Sequence, residues 1–124
     1  MKLIYIAGAY RAKTAYERQR NINAAWKAGA ELIAHPCNNG EFFPIIPHMN
    51  TANMDGLESD EYFLAGTMET MTRCDGVWNI CKGWPSEGVR GEIVRAVKIN
   101  MPIFRDVEDV FYYDWGMNNE HQHE

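Results

Sequence analysis

Lys2-Leu3-Ile4-Tyr5-Ile6-Ala7 is a short, almost unbroken apolar run that stops at Gly8. Such a run reads as a strand buried on both faces, and the glycine as the tight turn it feeds. Thr14 and Glu17 follow at capping-box spacing. Behind them Ile22, Ala25, Trp26, Gly29, Leu32 and Ile33 recur every three or four residues, which predicts an amphipathic helix over about 15–34 with one core-facing side. His35-Pro36 ends it, because the residue before a proline is pushed away from helical angles.

Further along, Glu41 to Ile46 is apolar but carries Pro44, with Pro47 just beyond, so it suits an edge strand or an extended path into a loop. The polar stretch Asn50 to Gly56 has no period and reads either as a flap over a pocket or as a plain surface excursion. Phe63, Leu64, Met68 and Met71 suggest a second helix over about 61–73, closed by Asp75-Gly76. Val77 to Cys81 reads as a strand and Val89 to Lys98 as a helix burying Ile93, Val94 and Val97. Asn100 turns the chain into a last short strand at Pro102-Ile103-Phe104.

Strand and helix thus alternate throughout. Right-handed βαβ units then predict a three-layer, doubly wound α/β fold, a parallel sheet of four or five strands in flavodoxin-like order with helices on both faces. Ligands of such sheets sit beyond the carboxyl ends of the strands, which singles out the turns 8–14 and 82–88. The end of the chain holds Phe111, Tyr112, Tyr113 and Trp115 without a clear period, an aromatic cluster suited to docking on its own domain or on a neighbour.

With 124 residues the chain is expected to be one domain over 1–124, with 106–124 as a C-terminal tail. A hydrophobic content of 46% is enough for a real core. The net charge of −5 argues against a nonspecific grip on nucleic-acid backbones, while leaving room for a small anionic metabolite held by one or two arginines. Cys37, Cys74 and Cys81 form no CxxC pair, and no apolar run approaches 18 residues, so a cytoplasmic protein without membrane contact is expected. His35, Cys37 and His48 match no zinc spacing; no metal and no cofactor are expected.

Glu92 is the key candidate. It is either an acid complementing a helix dipole, or a carboxylate nucleophile suited to an acetal-like carbon with a good leaving group. Ser86, with the amides of Gly88 and Val89, is either an N-cap or the mouth of a phosphate site. Gly8 lets a ligand approach the backbone, Arg11 suits an anionic group or a sugar hydroxyl, and Tyr10 suits a base. Tyr5, inside its apolar run, reads as core. Lys13-Thr14 is no phosphate-binding loop, because Ala12 stands where that motif needs glycine.

Two blocks resemble the nucleoside 2-deoxyribosyltransferase superfamily, most of all its nucleoside 5′-monophosphate N-glycosidase branch. One is Tyr5-Ile-Ala-Gly8-Ala-Tyr10-Arg11. The other is Cys74-Asp75-Gly-Val-Trp78 followed by Pro85-Ser86-Glu-Gly88-Val89-Arg-Gly-Glu92-Ile-Val-Arg-Ala96. The resemblance implies a five-stranded parallel sheet and a homodimer or higher homo-oligomer. It implies Glu92 as nucleophile at the anomeric carbon, Tyr5 and Arg11 in the active site, Asp75 at the substrate, and Ser86 at a 5′-phosphate. Thr67 stands where the superfamily usually has an aspartate, and Asp55, Asp60 or Glu69 are the nearby acids that would replace it. The activity so implied is hydrolysis of a (deoxy)nucleoside 5′-monophosphate through a glycosyl-Glu92 intermediate. Deoxyribosyl transfer between nucleobases is the first alternative, and a non-catalytic nucleotide-binding or assembly module the second.

Overall fold

The computed structural model describes residues 1–82 and 87–116. The first apolar run is strand β1 (Lys2–Ala7), and the periodic segment behind it is helix α1 (Ala15–Ala34). Thr14 caps that helix, its Oγ1 accepting the Glu17 amide at 3.1 Å. Strand β2 (Phe42–Ile45) is indeed at a sheet edge, where the missing N–H of Pro44 costs no ladder bond.

There the chain departs from an extended path. Pro47 opens a single helical turn, α2 (Pro47–Asn50), with proline in the first-turn position where its lack of an N–H does no harm. Helix α3 (Asp60–Thr72) is capped by Ser59, whose hydroxyl accepts the Tyr62 amide. Strand β3 (Gly76–Asn79), helix α4 (Glu87–Lys98) and strand β4 (Ile103–Phe104) follow. The tail, which shows no period, folds into helix α5 (Val107–Tyr112), its N-terminus closed by the Asp109 carboxylate accepting the Asp106 amide.

All four strands are parallel in the order β2-β1-β3-β4, with Ile4 opposite Pro44 on one side and Gly76 on the other. This is the doubly wound, flavodoxin-like arrangement that the alternation of elements predicts. Alternate residues of β1 face opposite layers. Ile4 and Ile6 join Phe42, Trp78 and Phe104 under α1 and α5. Tyr5 and Ala7 join Val77 under Met71 of α3 and Val89 and Ala96 of α4.

Two buried faces differ from those read off the hydrophobic pattern. In α1 the core side is Ile22, Ala25, Ala28, Gly29 and Leu32, while Trp26 and Ile33 are more than half exposed. The cause is close approach: a Cβ on Gly29 would lie 2.4 Å from Ile46 Cδ1, so small residues form the contact and large ones flank it. In α4 the buried residues are Val89, Glu92 and Ala96, with Ile93 partly covered and Val94 and Val97 outside. A charged residue in the middle of the buried stripe is what hides that stripe from a hydrophobicity pattern.

Of the tail aromatics, Phe111, Tyr113 and Trp115 dock on the chain's own sheet, while Tyr112 is exposed. Trp115 donates its indole N–H to Val110 O at 2.8 Å, and its ring meets those of Phe42, Phe104 and Tyr113. Among the described residues no helix is long and apolar enough to cross a membrane.

Candidate active site

Glu92 sits in the second turn of α4, 9% exposed, at the carboxyl edge of the sheet. A dipole-complementing role belongs instead to Glu87 in the first turn, since that effect fades beyond it. The Glu92 carboxylate accepts a hydrogen bond from the Tyr5 hydroxyl, and Tyr5 is wholly buried. Tyr5 is thus core along its ring and part of the site at its tip, so both readings of it meet in one side chain.

Burial pushes the Glu92 carboxyl up to about 7, the Tyr5 hydrogen bond holding it lower than it would otherwise stand. The Tyr5 hydroxyl is itself pushed well above its usual range, by burial first and by the nearby Glu92 charge second. It remains a donor at any ordinary pH. Thr67 lines the same cavity, its hydroxyl donating to Leu64 O at 3.1 Å. Thr67 thus brings a neutral hydroxyl, not an acid, to the wall that Tyr5 and Glu92 share.

These residues open on a cavity of about 360 Å³, within the range that encloses a nucleoside-sized ligand. Seven expected site residues line it: Tyr5, Gly8, Tyr10, Arg11, Gly88, Val89 and Glu92. Ser86 lies outside the described residues. Asp75 does not reach the cavity. It precedes β3, at the amino edge of the sheet, where its carboxylate accepts the Leu3 amide at 2.8 Å and its own amide donates to Leu3 O. It fastens β3 to β1 at the end opposite the site, a consequence of strand direction alone.

The 38–60 segment supplies a wall of the cavity through Pro47, His48, Thr51, Asp55 and Asp60. Tyr10 fastens it: its hydroxyl donates to Asp55 at 2.9 Å and accepts the Asn53 amide at 3.1 Å. Arg18 reaches Asp55 at 3.7 Å and Arg11 reaches Asp60 at 3.3 Å. Tyr10 is therefore engaged with the flap through its hydroxyl. His35 and His48 do not share a site, since His35 lies against Phe111 and Glu108 while His48 faces the cavity.

His48, Phe63, Leu64 and Glu87 are cavity residues that the sequence reading passed over or weighed for other roles. Only the abrupt Pro47-His48 start after an edge strand hints at the first of them. A wider, open groove of about 680 Å³ runs past Arg11, Lys13 and Arg20 along the start of α1 and holds neither Tyr5 nor Glu92.

The fold and this cavity define a doubly wound parallel α/β protein with a buried carboxylate at the carboxyl edge of its sheet. The chain belongs to the family described as a domain of unknown function (DUF7768), whose pattern matches residues 2–106. No curated protein matches it. Among solved structures it is similar to a 2-deoxyribosyltransferase from Bacillus psychrosaccharolyticus, with a TM-score of 0.59 and 16% identity over 93% of this chain and 94% of that one. At that identity the likeness is one of fold.

Proposed function

We propose that this chain cleaves the N-glycosidic bond of a small nucleoside or nucleotide, with Glu92 as nucleophile, and passes the sugar to a second nucleobase. One observation carries the reading: a buried carboxylate, held by a buried tyrosine hydroxyl, in the wall of a nucleoside-sized cavity. In the first step a Glu92 oxygen bonds to the anomeric carbon while the carbon–nitrogen bond breaks and its electron pair leaves with the base. The base takes its proton from water reaching the cavity, since Thr67 offers only a weakly acidic hydroxyl and Asp55 and Asp60 are carboxylates paired with Arg18 and Arg11. In the second step the nitrogen of an incoming base displaces Glu92 and gives up its proton to water, and two displacements retain configuration.

Transfer rather than hydrolysis is supported by the likeness to a 2-deoxyribosyltransferase. Hydrolysis of a 5′-monophosphate is the second reading, supported by the Pro85-Ser86-Glu87-Gly88 run of the sequence and by Gly88 and Arg11 in the cavity wall. A phosphate held there would fix the anomeric carbon against Glu92 through binding energy remote from the reacting bond. The proposal includes work as one domain over 1–124 and assembly as a homodimer or higher homo-oligomer. Of the tail aromatics that favoured a binding or assembly module, Phe111, Tyr113 and Trp115 pack on the chain's own sheet and Tyr112 is exposed.

The test is chromatography of thymidine or deoxyadenosine incubated with a second base. A new nucleoside is expected with the parent protein and none with Glu92→Ala. Free deoxyribose 5-phosphate from a monophosphate, without exchange, would select hydrolysis. Absence of base release from every nucleoside and nucleotide tried, with the fold intact by circular dichroism, would overturn the proposal.

A further inference from the structure

His48 is a buried polar side chain of the cavity, 4% exposed, that the proposed reaction does not use. Its Nε2 lies 2.9 Å from Gly8 O and 3.1 Å from Ala9 O. Carbonyl oxygens only accept, so Nε2 carries the hydrogen and shares it between them. Nδ1 is then the bare acceptor of the ring, and it is buried without a partner. Burial pushes the imidazole below its usual range, against an opposite pull from the two carbonyls. A buried, unsatisfied acceptor is destabilising. An apolar side chain would avoid that cost, so the bond from Nε2 is the property that an imidazole brings to this position.

Among the described residues no peptide bond is cis, and in a trans peptide plane the N–H points opposite the carbonyl. With the Gly8 and Ala9 carbonyls drawn toward His48, the amides of Ala9 and Tyr10 face the other way. Neither makes a hydrogen bond among the described residues. Gly8, Tyr10 and Arg11 all border the cavity that holds Glu92. Successive amides turned to one side form a concave donor site for oxygen.

We infer that His48 is a positioning residue: it locks two peptide planes of the turn after β1 so that the Ala9 and Tyr10 amides stand ready for an oxygen of the bound sugar or of its phosphate. The inference rests on the reading of this cavity as the nucleoside site. It makes the turn geometry, rather than the imidazole itself, the element that reads the ligand.

His48→Gln keeps an N–H donor near the place of Nε2, whereas His48→Met fills the space without one. With thymidine and dTMP as probes, His48→Met is expected to raise KM about tenfold or more with kcat changed less than about threefold, from the loss of ordered donors. His48→Gln is expected to restore KM to within about threefold. A rise for both probes assigns the oxygen to the sugar; a rise for dTMP alone assigns it to the phosphate. Parent-like KM for both probes in a folded His48→Met, or equal impairment in His48→Gln, would overturn the inference. Independently of turnover, the Ala9 and Tyr10 amide resonances are expected to shift with dTMP in the parent and in His48→Gln but not in His48→Met. That response without base release would sink the Glu92 reaction and keep the role of His48, whereas its persistence in His48→Met would sink the latter.

Discussion

The two faces of the sheet are built from the same strands and do opposite work. Beneath α1 and α5 the layer is dry and aromatic: Phe42, Trp78 and Phe104 meet Phe111, Tyr113 and Trp115, with Phe104–Tyr113 centroids 5.5 Å apart and Tyr113–Trp115 4.7 Å apart. Both of its indole donors are satisfied, Trp78 by Arg105 O and Trp115 by Val110 O. Beneath α3 and α4 the residues are smaller, Ala7, Cys74 and Ala96 among them, and the layer encloses Glu92, to which no cation is paired among the described residues. A charge buried with a single hydroxyl partner is poor for stability. The contrast teaches that one face holds the fold together while the other accepts an ionisable group that the fold alone would not select.

Replacing Glu92 breaks this contrast most sharply. Glu92→Gln is expected to lower turnover at least about a thousandfold, since an amide is no nucleophile at an anomeric carbon. Stability should move the other way. With the carboxyl at about 7 in the folded protein against 4.5 ordinarily, the folded state keeps between those values a proton that the unfolded chain has released. Parent stability therefore falls as pH rises from about 4.5 to 7 and is level above, a loss of up to about 3 kcal/mol. Glu92→Gln lacks that loss. Calorimetry at pH 4, 6 and 8 should show its advantage absent at the first and largest at the last; an advantage that shrinks with pH would contradict the buried, unpaired carboxylate.

Tyr5→Phe tests the hydroxyl at the seam between the two functions. Its bond holds the Glu92 carboxyl down, so removing it raises that group further above about 7 and moves the acid limb of kcat/KM to higher pH. Activity should fall roughly tenfold at pH 6 and less at pH 8.5. A limb that stays in place would mean that the tyrosine only packs.

The stabilising face answers to a third substitution. Trp115→Ala removes a half-buried ring lying against Phe42, Phe104 and Tyr113, and should cost about 2 kcal/mol by denaturant titration while leaving KM unchanged. A large KM effect would show that the two faces are coupled.

The same division decides what the sequence reveals. β1 and α1 were legible to the residue because an unbroken apolar run and a long helical period, bounded by Thr14 and His35-Pro36, leave few alternatives. α2 and α5 were not, since four and six residues are too few to display a period. The α4 face was misread toward Val94 and Val97 because Glu92 interrupts its apolar stripe. Glu92 was singled out from its place near the start of a helix and Tyr5 through resemblance, whereas His48 reaches the cavity through tertiary closure of a segment with no period of its own. Asp75 was expected at the substrate through resemblance alone, and the direction of β3 sets it instead at the opposite edge of the sheet, against Leu3.

The smallest expected effect concerns the flap. Arg11 and Asp60 lie 3.3 Å apart, but their side chains are 59% and 71% exposed, so water and salt screen most of their attraction. Asp60→Asn should change stability by no more than about 0.5 kcal/mol, and less in high salt. If Asp60 instead serves the cavity it borders, the same variant should depress base release at unchanged melting temperature. A stability loss above about 1.5 kcal/mol would mean that the flap is held as firmly as the aromatic layer, and the separation between a stabilising and a reactive face would then extend only to the sheet and not to the segment that covers it.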